Sequence, residues 1–156
     1  MINLHKQYVD EKYDENGILC EYKLKWDENY NFAYDVVDKI ADAEPDKLAM
    51  LWTDENGAEK YITFAEMKKY SNKAANMLKN AGIDKGDYVM IVLKRHYEFW
   101  FSIIACHKLG AVAIPATHLL SKKDFIYRFD AASVKAIICT ADGDTAEAAE
   151  QAAAEE

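Results

Sequence analysis

Apolar positions along this chain change period several times, and the order of those changes predicts its elements. From Phe32 to Ala43, Phe32, Val36, Val37 and Ile40 form a helical stripe behind Asn31 as N-cap, and Pro45 ends it. Leu48–Thr53 and 59–62 then flank Asp54-Glu55-Asn56-Gly57, which reads as a β-hairpin. Thr63 and Glu66 make a capping box for a helix whose Met67, Tyr70, Ala74, Met77, Leu78 and Ala81 share a face, up to Gly82. After an Asp84–Asp87 turn, 88–93 is an almost unbroken apolar run, as expected of a strand covered on both faces. A helix over 97–109 ends at Gly110, and Val112–Pro115 is a short strand. Ser121 and Asp124 start another helix, with Phe125, Ile126 and Phe129 inward. A fourth apolar strand covers 135–139, and an Ala/Glu-rich helix runs from Asp144 to the last residue.

Strands and helices alternate after the hairpin with short connections. The expected fold class is therefore α/β: a small, mostly parallel sheet of βα units, helices on both faces, preceded by a β-hairpin. Residues 1–30 read as a separate arm, with an Asp14–Gly17 turn and a short alternating strand over 22–26. Residues 31–156 read as one α/β subdomain.

Composition narrows the function. The chain has 156 residues, enough for one domain with a real core, and 51% of them are hydrophobic. With 27 acidic against 19 basic residues the net charge is −8, which repels a phosphate backbone, so nucleic acid is not an expected partner. Cys20, Cys106 and Cys139 are odd in number and far apart, which fits a reducing cytoplasm and small buried side chains rather than disulfides. The four histidines have no metal-ligand spacing, and no metal site is expected. The polar N-terminus lacks the apolar stretch of a signal peptide, and no apolar run is long enough to span a membrane.

Direct chemical motifs are missing. The sequence has no GxxxxGK[ST], no GxGxxG and no Gly/Ser/Thr-rich loop able to wrap a triphosphate with N–H groups. No catalytic triad follows from spacing, and no catalytic residue is assigned.

Four pieces in order carry a resemblance. They are 31–38 (NFAYDVVD), Thr63–Glu66 with 71–76 (SNKAAN), Gly82–Val89 through Lys85-Gly86-Asp87, and Arg95, Glu98 and Trp100 through 105–112 (ACHKLGAV) to Pro115. Asp124, Tyr127-Arg128 and 135–138 (KAII) also fit. Together these resemble the opening of the AMP-forming acyl-CoA synthetases of the adenylate-forming ligase superfamily, their medium-chain branch in particular. Lys94-Arg95-His96-Tyr97 departs from the proline-containing sequence that relatives often carry there. The resemblance implies fatty acid metabolism: a carboxylic acid, ATP and coenzyme A become an acyl-CoA, AMP and pyrophosphate through an acyl-adenylate, with magnesium balancing the phosphates. It also implies that this chain is a fragment. Its sequence precedes the segment where the family keeps its ATP-gripping residues, so by itself it is expected to bind no cofactor, to be inactive and to self-associate through surface normally covered. The alternative is a free-standing α/β binding or regulatory module.

The loop 116–120 is the best candidate site, because ligands of open α/β sheets gather at the carboxyl ends of strands. In the resembling enzymes this region approaches the nucleotide end of coenzyme A, which makes Thr117 and His118 the candidate binding residues. A surface or packing loop is the competing reading. Ala146 stands near where relatives carry an arginine. Arg95 reads as an ion-pair partner or strand cap ahead of a phosphate ligand. Phe101, Trp100 and Ile103-Ile104 read as core.

Overall fold

A computed structural model describes residues 3–155. Met1 and Ile2 of the expected arm, and Glu156 at the end of the expected tail helix, lie outside the described residues. The chain runs α1 (His5–Tyr8), β1 (Val9–Tyr13), β2 (Leu19–Leu24), a π-helical segment (Ala33–Asp38) continuing into α2 (Lys39–Ala43), then β3 (Leu48–Thr53) and β4 (Glu59–Thr63). It goes on through α3 (Phe64–Asn80), β5 (Tyr88–Val92), α4 (Glu98–Leu109), β6 (Val112–Pro115), α5 (Lys122–Ala132), β7 (Val134–Cys139) and α6 (Thr145–Ala153).

The expected parallel sheet is present, in the order β6-β5-β7. Val89 to Val92 of the central strand are fully buried, which explains their unbroken apolar run. Val89 and Ile91 meet α3 and α4 through Ala75, Leu78, Ala105 and Cys106. Met90 and Val92 meet α5 and α6 through Phe125, Phe129, Ala149 and Ala152 on the other side. This alternation follows from the period of two along a strand. The chain passes from β5 outward to β6, then back across β5 to β7. Right-handed crossovers therefore put α4 and α5 on opposite faces.

Both hairpins turn on the same tetrapeptide. Asp14 and Asp54 each accept N–H bonds at 2.9 and 2.8 Å from the residues two and four positions on. Gly17 and Gly57 then take φ of 77° and 81°, where a side chain would be strained. Both capping boxes form as expected, Thr63 with Glu66 and Ser121 with Asp124.

Several packing expectations are corrected. The helix after Asn31 begins with π-winding, in which residues five apart stack on one face. Ala33, Val37 and Asp38 turn inward, while Phe32 is exposed. On α3 the buried line is Met67, Ser71, Ala75 and Leu78, and Met77 faces solvent. Trp100 is 51% exposed rather than core, since α4 buries Phe101 and Ile104 against the β3–β4 side and Ala105 and Cys106 against the sheet. Cys20 is exposed on the arm, whereas Cys106 is buried and Cys139 half-buried. The arm holds two strands where one was expected. Its root is fixed by Tyr8, whose ring meets Tyr30 edge-on at 5.0 Å and whose hydroxyl accepts from Lys39 Nζ at 2.9 Å.

Among the described residues no helix is long and apolar enough to cross a membrane.

Candidate functional site

The carboxyl ends of β5, β6 and β7 open into a cleft of about 980 Å³. Leu93, Lys94, Arg95 and His96 follow β5, Ala116, Thr117 and His118 follow β6, and Asp142 follows β7. The turn of the β3–β4 hairpin, from Trp52 to Asn56, forms the remaining wall. Trp52 Nε1 donates to the Arg95 carbonyl at 2.6 Å and its ring meets Tyr97 edge-on at 5.5 Å, which fixes the hairpin over the cleft.

The strand order gives this place its meaning. The loop leaving β5 heads to one face of the sheet and the loop leaving β7 to the other, so a crevice must open between their ends. His96 and Thr140 meet across that crevice, His96 Nε2 lying 3.1 Å from Thr140 Oγ1. Thr140 Oγ1 donates to Asp142 Oδ2 at 3.2 Å and accepts from the Asp142 N–H at 3.2 Å. The hydroxyl proton is therefore spent on the carboxylate, and the bond to His96 requires His96 to donate from Nε2. A histidine, a hydroxyl and a carboxylate thus stand together in the polarity opposite to nucleophile activation, in which the histidine would accept from the hydroxyl. Thr140 is also buried. The cluster braces the two loops and does not make an attacking oxygen.

Thr117 and His118 lie on the cleft wall, where the sequence places them, and both are exposed. Thr117 Oγ1 accepts from the Leu119 N–H at 3.3 Å and so shapes its own loop. The His118 carbonyl accepts from the buried Thr145 hydroxyl at 3.3 Å, which ties the loop to the start of α6. His118 also borders a smaller adjoining cleft of about 370 Å³ that includes Thr145 and Gly143. Arg95 is exposed on the same wall. Sequence reasoning missed His96, Thr140 and Asp142. Their signal was available in the strand order, which puts the crevice beside β7 as well as β6.

The rim is mixed in charge: Lys94 and Arg95 stand against Asp54, Glu55 and Asp142. It suits a polar ligand carrying both donors and acceptors better than a bare polyphosphate. Among the described residues no group of His, Cys, Asp or Glu converges to hold a metal ion. With Asp54, Glu55 and Asp142 facing Lys94 and Arg95, the described residues of the cleft do not fit magnesium-bound ATP.

Comparison with known proteins gives a consistent answer. Residues 37–156 match the family model described as AMP-binding enzyme. Acyl-coenzyme A synthetase ACSM5, mitochondrial, of Rattus norvegicus is 44% identical over 117 residues, covering 71% of this chain and 20% of its own length. Acyl-coenzyme A synthetase ACSM3, mitochondrial, of Homo sapiens is 37% identical over 124 residues, covering 76% and 21%. The chain thus spans about a fifth of the length of the curated relatives it matches. A crystal structure of Brucella canis acyl-CoA synthetase superposes with a TM-score of 0.71 at 23% identity, over 80% of this chain and 23% of that one, which supports the fold. The expectation of a cytoplasmic protein is corrected by these relatives, both of which are named as mitochondrial.

Proposed function

The chain belongs to the AMP-binding enzyme family, and from that premise we propose that it supplies the amino-terminal βα layer of an ATP-dependent, AMP-forming carboxylate–CoA ligase. The observation that supports this most is the cleft at the strand reversal, where a fold of this kind takes its ligand. In this reading residues 31–156 form the layer and residues 1–30 an arm beside it. Thr117 and His118 line the path of the nucleotide end of coenzyme A, and Lys94 and Arg95 add positive charge to the same cleft. A fatty acid is the carboxylate. ATP and magnesium are gripped by residues other than those described here, so the 156 residues alone hold no cofactor and do not complete the reaction. The open outer edges of β6 and β7 are surface through which this layer self-associates when alone.

Two measurements on the 156-residue chain test the reading. Acid-dependent ATP–pyrophosphate exchange with short- and medium-chain acids is expected to stay at background, and exchange above it would overturn the inactive-layer reading. Coenzyme A titrated into isotope-labelled protein is expected to move amide signals of 94–96, 116–119 and 140–143, with a dissociation constant no tighter than about 1 mM, on the order of −4 kcal/mol. Shifts confined to the arm, or micromolar binding of a small ligand, would refute the assignment and favour a binding module.

A further inference from the structure

The arm hairpin is the least supported element of the fold. β1 and β2 form a two-stranded sheet of their own, and such a hairpin is marginal in water without further strands or a covering element. Their register puts Tyr13, Leu19, Tyr22 and Leu24 on one face, where all four are exposed, and Asp10, Lys12, Glu21 and Lys23 on the other. Lys12 pairs with Glu21 at 3.4 Å and Lys25 with Asp10 at 2.6 Å, while Lys23 makes no ion pair among the described residues.

The phase of the ladder decides which main-chain groups are free. Lys25 N–H donates to the Tyr8 carbonyl at 2.7 Å. Alternation along an antiparallel pair then turns the main-chain groups of Lys23 and Glu21 toward β1 and those of Leu24 and Tyr22 toward the open edge. Another strand can add there only if outward residues fall opposite outward residues. For a second copy of β2 about a two-fold axis within the regular part of the strand, Glu21 to Leu24, charge selects among the registers that satisfy this. An axis at Glu21 or at Lys23 sets like charges face to face, and one at Leu24 sets Lys23 against Lys25. An axis at Tyr22 sets Glu21 opposite Lys23 twice, at the close spacing of a non-hydrogen-bonded pair, and gives Lys23 the acid it lacks.

We infer that this edge is a homodimer interface. β2 strands of two copies pair antiparallel about a two-fold axis at Tyr22 and build a four-stranded sheet. The inference does not depend on the ligase reading, and it uses a different edge from β6 and β7.

Sedimentation velocity on the 156-residue chain is expected to show a concentration-dependent dimer. Glu21→Lys and Lys23→Glu should each weaken it about tenfold, and the two together should restore it, because the reversed charges meet again across the axis. Far-ultraviolet circular dichroism of each variant checks that the hairpin survives the reversal, because Glu21 also pairs with Lys12 and Lys23 lies opposite Asp10 within the chain. Tyr22→Cys in a Cys20→Ser background should oxidise to a covalent dimer. Hydrogen-bonded partners lie about 5.5 Å apart at Cα, within disulfide reach. Cys20 itself should not cross-link, because this register offsets it from its copy by roughly 14 Å along the strand. A chain monomeric up to about 1 mM refutes the inference. So does a dimer indifferent to both reversals, which would place the contact at β6 or β7, or a Tyr22→Cys variant that does not cross-link.

Discussion

Replacing Lys108 with methionine should cost this small protein a large share of its stability. Lys108 Nζ sits between the π-helical segment, α3 and α4, with its side chain only 2% exposed. All three of its donors are used: Asp38 Oδ1 at 2.7 Å, Asp38 Oδ2 at 3.0 Å and Asn72 Oδ1 at 2.7 Å. The Asp38 side chain is 12% exposed and depends on this partner. Methionine keeps the stem and its packing but leaves the largely buried Asp38 carboxyl without its hydrogen-bonding partner. Breaking a buried pair from one side typically costs about 3–5 kcal/mol, out of a total of roughly 5–15 kcal/mol for a domain. With a urea slope of about 2 kcal/mol per molar, the midpoint should fall by about 1.5–2.5 M. Urea titration followed by far-ultraviolet circular dichroism measures this directly. The companion variant Asp38→Leu/Lys108→Met removes both charges, and Asn72 is exposed and can turn to water. It should recover most of the loss, with a coupling of at least about 2 kcal/mol in the double-mutant cycle. A single-variant cost under about 1 kcal/mol, or costs that simply add, would refute the reasoning.

Two further expectations concern titrating groups. The Asp87 carboxyl is held below its ordinary range by the hydrogen bond from Lys135 at 2.6 Å and by the Asp84 N–H at 2.7 Å. A depressed folded-state value contributes stability that is present above the unfolded value of about 3.9 and is lost as pH falls through the folded one. Calorimetric melting between pH 7 and pH 2 should therefore show Asp87→Asn less stable than the parent at neutral pH, with the gap closing in acid. A gap that persists to pH 2 would count against the assignment. Burial pushes the Cys106 thiol up to about 11, and raises Cys139 as well, while Cys20 is exposed. A thiol reagent at pH 8 should label Cys20 first and Cys106 only after denaturant is added, as read by peptide mass mapping; early labelling of Cys106 would contradict the packing of α4.

Local signals carried the frame of this fold, and long-range ones did not. The run from Tyr88 to Val92, the two capping boxes and the Asp-Glu-Asn-Gly turns are each decided by neighbours within four residues. The Asp38–Lys108 pair joins positions 70 residues apart, and in sequence both look like solvated charges on amphipathic helices. The π-winding that turns Asp38 inward has no propensity signature, so the stripe of Phe32, Val36, Val37 and Ile40 placed Val37 inside but counted the exposed Phe32 and left out Ala33 and Asp38. β1 was illegible because Val9 to Tyr13 carries three charges, and only its pairing with β2 makes it a strand. The half of the candidate site on the β6 loop followed from the alternation of elements. The half on β5 and β7 needed the order in which the strands lie side by side, and no single βα unit encodes that order.

The two ends of the sheet differ in how their polar groups are satisfied. At the amino end the polar groups are consumed internally: Gly86 N–H donates to the Gly110 carbonyl at 2.9 Å, Val112 N–H to the Asp87 carbonyl at 2.8 Å, and Lys135 pairs with Asp87 at 2.6 Å. At the carboxyl end His96, Thr140 and Asp142 hold the crevice open from within, while the side chains of Lys94, Arg95 and His118 make no hydrogen bond or ion pair among the described residues. A charged side chain left without a partner gains nothing for the fold and stays available to a ligand. Substitutions at Asp87 or Lys135 should therefore read out in melting temperature, and those at Lys94, Arg95 or His118 in ligand contact with little change in stability. That separation is a physical consequence of strand polarity: the crossover loops leave from one end of a parallel sheet only, and the end they leave is the one whose backbone and side chains remain to be satisfied from outside.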